Sequence, residues 1–275
     1  MNAIMALSCS HKGVILLLRG LPGVVHPVEY ADFLSTSRSP IVFFGSAGID
    51  SPGRPTLWDQ SGQLALLEQN GVVLPPGLAN AVLKRKVEFA AGRYCAMQAL
   101  KALGYGGRET LPIGQHRAPL WPDGFVGSIS HGDGQALAVA AASRDWDGIG
   151  IDVERLLDHD AARPLVPYLM TTAELLIGSA AGMSLERWLT VVFSAKESLF
   201  KALYPYVGRY FDFLDAEVRA LQPGGDGLTL QLATTLSPQC IKGSRYPIRI
   251  NYFDNNIVTL CLLAPSGLTL VATSG

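Results

Sequence analysis

Cysteine is scarce in this 275-residue chain, and what there is falls in no metal or disulfide pattern. Cys9, Cys95, Cys240 and Cys261 form no Cys-x-x-Cys pair and have no histidine at finger spacing. Neither a zinc site nor a disulfide framework is indicated, and a reducing cytoplasm fits. Long apolar runs are also missing. The longest early one, Val14–Leu18, is far short of the roughly 20 residues of a spanning helix and shorter than an export signal's apolar core, so neither a membrane span nor a signal is read. An excess of one charge is absent too: 22 Lys and Arg stand against 23 Asp and Glu, a net charge of −1. That balance argues against a nucleic-acid binder, so any bound polyanion must be met by a local basic cluster. The common nucleotide loops, Gly-x-x-x-x-Gly-Lys-Ser/Thr and Gly-x-Gly-x-x-Gly, do not occur.

What is present describes a globular chain, 48% hydrophobic and 16% charged, rich in turns with 29 Gly and 17 Pro. The first 75 residues hold short apolar runs (Val14–Leu18, Pro40–Phe44, Leu64–Leu67) among Gly, Ser and Pro, and carry no legible chemistry. From Pro75-Pro76 to Leu103-Gly104 the period changes. Leu78, Val82, Phe89, Tyr94, Met97 and Leu100 recur at helical spacing, which predicts one long amphipathic helix. Lys86 and Arg93 fall nearly on one line of it with Arg85 to one side and Lys84 nearby, giving a basic face.

Downstream, Val126–Ser130, Gln135–Ala142 and Gly148–Val153 read as adjacent, largely buried strands. A second helix is expected over Glu186–Leu203, with Trp188, Val192, Ala195, Leu199 and Leu203 as its apolar stripe and Pro205 beyond its end. Leu214, Ala216, Val218 and Ala220 alternate with Asp215, Glu217 and Arg219 as a half-buried strand; Tyr246–Phe253, Asp254-Asn255 and Asn256–Leu263 read as a terminal hairpin. The fold class is α+β.

Three clusters stand out for chemistry. In Gly148-Ile149-Gly150-Ile151-Asp152-Val153-Glu154 the alternation of a strand puts both carboxylates on one side. Two acids at close range repel, and a divalent cation between them relieves it; oxygen-only ligands favour Mg²⁺ over zinc. A strand running out into a polar turn would give the same letters. On the second helix, Lys196, Glu197 and Lys201 fall within a turn and a half, with Glu197 and Lys201 at i, i+4 on the face away from Trp188; an exposed helix ion pair is the plain alternative. Third, Gly127-Ser128-Ile129-Ser130-His131-Gly132 delivers a hydroxyl and an imidazole to a glycine-flanked turn able to hold phosphate oxygens. It is not a serine-hydrolase elbow: Gly-x-Ser-x-Gly fails at Ser128, and neighbours on a strand point to opposite sides.

Taken together, Gly148–Glu154, Trp188 and Phe193–Lys201, with Trp121-Pro122-Asp123-Gly124 and Gly127–His131 upstream, resemble the 4′-phosphopantetheinyl transferases. The helix segment Lys84-Arg85-x-x-Glu88-Phe89-x-x-Gly92-Arg93 is similar to the surfactin-type group typified by enterobactin synthase component D. The resemblance runs from about Leu78 onward. It implies a pseudo-dimer of two similar α+β halves, here 1–146 and 147–275, with coenzyme A and Mg²⁺ held in the cleft between them in one chain acting as a monomer. It implies Asp152, Glu154 and Glu197 as metal ligands, and Arg85, Arg93, Ser130, His131, Lys196 and Lys201 as coenzyme ligands, with Arg117, and more loosely His116, joining them. Glu197 and Lys201 would be catalytic. The implied reaction moves 4′-phosphopantetheine from coenzyme A to a serine of an apo acyl, aryl or peptidyl carrier protein, releasing adenosine 3′,5′-bisphosphate, in siderophore or other nonribosomal peptide synthesis. A Mg²⁺-dependent pyrophosphatase, with water in place of the serine, would use the same acids and lysines; a non-catalytic carrier-binding module would have no need of them.

Overall fold

The computed structural model describes residues 60–132, 135–252 and 255–265, together with the backbones of Val14–Leu18, Ile41–Ala47 and Phe253. Cys9, Pro40 and Asp254 lie outside the described residues. The chain divides into two compact units, Met1–Asp145 and Trp146–Gly275.

In the first unit, strands β1 (Val14–Leu18) and β2 (Ile41–Ala47) run parallel, and helices α1 (Gln60–Gln69) and α2 (Leu83–Ala102) follow. Strands β3 (Phe125–Gly132) and β4 (Gln135–Ala142) complete a four-stranded sheet in the order β1-β2-β4-β3. Helix α2 lies on β4 and β2. Its buried Val87, Ala90, Ala91, Cys95, Ala96, Ala99 and Leu100 meet Ala136, Ala138 and Ala140, which strand alternation puts on one face. Small residues on both surfaces let helix and sheet approach closely, and at Gly92 a Cβ would stand 2.8 Å from Ile129 Cγ2.

The helix is shorter than its periodicity suggests. Pro75 and Pro76 open a separate 3₁₀ turn, Pro76–Leu78, and Val82 takes extended dihedrals as the N-cap, so Leu78 and Val82 stand outside α2 and Val82 is exposed. A repeat of apolar letters continues across such a turn although the backbone does not.

The second unit opens with β5 (Gly148–Arg155), which does not join β3 and β4 as expected. It pairs antiparallel with the last strand instead. Short helices α3 (His159–Ala162) and α4 (Val166–Leu169) lead to α5 (Thr172–Ala180) and the long α6 (Leu185–Val207). Strands β6 (Ala216–Leu221), β7 (Gly227–Leu232), β8 (Arg245–Phe253) and β9 (Asn256–Leu263) make an antiparallel sheet in the order β5-β9-β8-β7-β6. The expected hairpin is β8–β9, with Phe253 opposite Asn256. The expected stripe of α6 is buried throughout, packed with Leu228, Leu230, Tyr246, Ile248 and Leu263. Pro205 lies within α6 and not beyond it: one missing hydrogen bond in the last turn is absorbed, and Gly208 ends the helix at φ +67°. Leu214 belongs to a 3₁₀ turn, and a register shift between Val218 and Ala220 breaks the alternation, leaving Ala220 exposed.

The two units repeat one topology. In the first, β2 is followed by α2 and the hairpin β3–β4, and β2 pairs antiparallel with β4. In the second, β5 is followed by α6 and the hairpin β8–β9, and β5 pairs antiparallel with β9. Among the described residues no helix is long and apolar enough to cross a membrane. The described cysteines, Cys95, Cys240 and Cys261, are buried free thiols.

Candidate active site

The acidic cluster of the second unit starts from two glycines. A Cβ at Gly150 would stand 1.7 Å from the Ser198 carbonyl oxygen and 2.7 Å from the Ala202 nitrogen, and one at Gly148 would stand 2.8 Å from the Ala202 oxygen. Only glycine lets α6 lie this close on β5. A polar clamp fixes the other flank: Thr259, paired with Asp152 across β5–β9, donates its hydroxyl to the Ser194 carbonyl at 2.7 Å. Ser194 Oγ lies 2.9 Å from Thr259 Oγ1 and, that proton being committed, is the donor of the pair.

This approach brings the end of α6 to the acids. Lys201 Nζ donates to Asp152 Oδ1 at 2.7 Å and to the Ile151 carbonyl at 3.0 Å. Asp152 is buried, while Glu154 and Glu197 are half-buried. Burial, then Asp152, then Glu197 push the Glu154 carboxyl up to about 8, against the pull of Lys201. Glu197 is likewise raised, first by burial and then by Asp152, with Lys201 opposing. Asp152, Glu154, Glu197 and Lys201 are therefore brought together, three acids around one ammonium. Among the described residues no three His, Cys, Asp or Glu side chains form a ready-made metal cage.

Lys196 does not share that edge. It is 2% exposed, its Nζ 2.9 Å from Glu174 Oε1 and donating to the Leu169 carbonyl at 2.7 Å. Helix positions one apart differ by about 100°, so Lys196 turns into the protein where Glu197 turns toward Asp152. Beside both residues lies a cavity of about 240 Å³ walled by Phe200, Tyr210, Phe211 and Phe213. Phe200 and Tyr210 stack there at 5.6 Å.

In the first unit a cavity of about 670 Å³ collects Arg85, Arg93, Arg117 and His131, with Glu88 and Phe89. Arg85 Nη1 lies 2.9 Å from His131 Nε2, and since arginine only donates, the imidazole nitrogen is the accepting partner of that contact. Arg85 lies 3.6 Å from Glu88. Arg93 is buried over the Phe89 ring at 4.8 Å, and its Nε meets no hydrogen-bond partner among the described residues. Burial, then the charge of Arg85, lower its guanidinium to about 10. His116 (φ 51°) and Arg117 (φ 67°) are both left-handed, a strained turn that ends in the cavity-lining arginine.

Other candidates fall elsewhere. Ser130 is buried and, by alternation, on the face of β3 away from His131. Lys84 is exposed, and Lys86 donates to the Ala79 carbonyl at 2.7 Å, tying down the turn before α2, so the basic face dissolves into residues with separate tasks. Trp121 packs over Gly127, where a Cβ would come within 2.5 Å of the indole, so the Trp-Pro segment builds the hairpin. The roles of Gly150, Ser194, Thr259 and Glu174 went unread in the sequence; only the Gly-x-Gly before Asp152 hinted at a close approach.

An α+β protein with an acid–lysine cluster in one half and an arginine–histidine cavity in the other is thereby defined. Family models agree: the 4′-phosphopantetheinyl transferase N-terminal domain matches residues 74–141, and the 4′-phosphopantetheinyl transferase superfamily matches residues 148–259. The chain is 36% identical over 209 residues to 4′-phosphopantetheinyl transferase Svp of Streptomyces mobaraensis, covering 72% of this chain and 80% of that protein. It is 37% identical over 188 residues to enterobactin synthase component D of Salmonella typhimurium, covering 66% and 74%. A solved holo-(acyl-carrier-protein) synthase from Bacillus anthracis, in complex with CoA (3′,5′-ADP), is 25% identical with a TM-score of 0.32, covering 44% of this chain and 99% of that one. The chain belongs to the 4′-phosphopantetheinyl transferase superfamily, and it is an enzyme of that class. These matches do not favour the pyrophosphatase reading.

Proposed function

We propose that this enzyme transfers 4′-phosphopantetheine from coenzyme A to a serine hydroxyl of an apo acyl, aryl or peptidyl carrier protein, with Mg²⁺, releasing adenosine 3′,5′-bisphosphate. The observation that carries the reading is the gathering of Asp152, Glu154 and Glu197 around Lys201 in a member of this superfamily. Three buried or half-buried acids beside one lysine repel one another enough to raise Glu154 and Glu197 above the usual carboxylate range, a strain that a cation would relieve, and their oxygens are the donors a hard cation takes; Asp152, Glu154 and Glu197 would hold it, with pyrophosphate oxygens and waters completing the shell. The bound ion would neutralise charge as the P–O bond breaks.

The protein's own groups supply the rest. Lys201 stabilises the departing phosphate with an ammonium already held beside Asp152. Glu197 takes the serine proton on its carboxylate, directly or through water. Arg85, Arg93, Arg117 and His131 hold the coenzyme phosphates, the local cluster that a chain of net charge −1 needs. Ser130, turned to the other face of β3, is left out of that set. Lys84 is free to meet an acidic carrier. We read the enzyme as a monomer, working in the cytoplasm on siderophore or other nonribosomal peptide assembly.

The test is the intact mass of purified apo carriers after incubation with the enzyme, coenzyme A and Mg²⁺, beside chelated and Glu197→Ala reactions. One phosphopantetheine gained per carrier, and lost in both controls, is expected. Hydrolysis of coenzyme A with no carrier modified would turn the reading to a pyrophosphatase.

A further inference from the structure

Glu174 is wholly buried, yet each of its carboxylate oxygens is engaged. Oε2 accepts from the Thr171 nitrogen at 2.8 Å and the Thr171 hydroxyl at 3.0 Å, closing the capping box of α5. Oε1 accepts from the Val218 nitrogen of β6 at 2.9 Å and faces Lys196 Nζ at 2.9 Å. Lys196 donates in turn to the carbonyl of Leu169, the last residue of α4. One ion pair therefore joins four elements, α4, α5, β6 and α6. The Glu174 carbonyl adds a second tie to α6, accepting from the Trp188 indole at 2.8 Å.

We propose that Lys196 is a positioning residue for Glu197 and not a ligand of the coenzyme phosphates. The inference rests on the reading of Glu197 as the group that takes the serine proton. A lysine serving a phosphate must present a solvated or vacant ammonium. This one is 2% exposed with its charge opposite a carboxylate that no water reaches, and leaving would strand Glu174 as an isolated buried ion. The pair acts where it stands. It fixes α6 at the residue before Glu197, and the Lys196 stem walls the 240 Å³ aromatic cavity on which Glu197 also opens.

The test compares wild type, Lys196→Met, Glu174→Gln and the double variant. Carrier modification is followed for kcat, with coenzyme A dissociation constants measured by calorimetry on the same preparations and the folded fraction fixed by circular dichroism. Each single change is expected to lower kcat per folded molecule at least tenfold while coenzyme binding stays within twofold. The double variant should fall no further than the worse single one, because both changes break one unit. It leaves no ion buried alone, so it keeps the test decisive if Lys196→Met fails to fold. A tenfold weaker coenzyme affinity in Lys196→Met, with Glu174→Gln binding as wild type, would overturn the proposal and make Lys196 a phosphate ligand. Wild-type kcat in the folded double variant would overturn it too, reducing the pair to a structural tie. A wild type that binds coenzyme A but modifies no carrier would instead sink the transferase reading, and this inference with it, a pattern unlike either of the others.

Discussion

Lys201 and Asp152 meet across two elements, the ammonium on α6 donating to the carboxylate on β5 at 2.7 Å and to the neighbouring Ile151 carbonyl at 3.0 Å. The second bond matters as much as the first, since a backbone carbonyl aims the ammonium and holds it where charge is to develop. Lys201→Ala should lower kcat by about 10²–10³, the range for loss of one preorganised stabilising donor, while coenzyme A binding changes far less. Single-turnover transfer to an apo carrier reads this. A drop confined to KM would place Lys201 in ground-state binding only.

The approach of α6 to β5 is set by backbone and not by a flexible side chain. Gly150→Ala would put a methyl 1.7 Å from the Ser198 oxygen, and neither helix nor strand has room to yield. A loss of stability beyond the roughly 1–3 kcal/mol of ordinary overpacking is expected, or failure to fold. Thermal unfolding measures it. A variant melting with the wild type would show that the contact relaxes freely.

With no metal bound, burial and the charge of Asp152 push the Glu154 carboxyl up to about 8 from an ordinary 4.5, so between these the folded state holds a proton that the unfolded chain has released. Its contribution to stability is full below about pH 4.5 and is lost as pH rises through about 8. The melting temperature of chelated enzyme should therefore fall by several degrees across that window, and Glu154→Gln should flatten the fall. Added Mg²⁺ should raise the melting temperature most at the alkaline end and release protons on binding, read by calorimetry in buffers of different ionisation enthalpy. A melting temperature in chelated protein that rises across the window would refute the assignment.

Arg93 presents a buried guanidinium, stacked on Phe89, with its Nε unmatched among the described residues. A fork of donors held in one plane suits phosphate oxygens, and lysine cannot reproduce it. Arg93→Lys keeps the charge and loses the fork, so it should weaken coenzyme A binding about tenfold with its salt dependence little changed. Equal affinity in the two proteins would move the phosphate contacts to Arg85 and Arg117.

Much of the site could be read before any coordinates. Strand alternation is a local property with a period of two, and it put Asp152 and Glu154 on one side. The buried stripe from Trp188 to Leu203 followed from helical spacing in the same way. Local rules went wrong where backbone geometry changed without a change in letters. The turn at Ala79–Val82 that delays α2 is one case, and the register shift after Val218 is another.

By itself the sequence determined the α+β class, the two long helices, the terminal hairpin and the separate pairs Asp152–Glu154 and Glu197–Lys201, because each depends on residues close in the chain. Only the tertiary structure decided that β5 pairs with β9 and not with its neighbours, that Gly150 admits α6 to that strand, and that Lys196 spends its charge on Glu174. The reason is physical: which partner a strand edge or a buried ammonium meets depends on where distant segments are carried, and desolvation then penalises every alternative that leaves a charge or a backbone group unmatched.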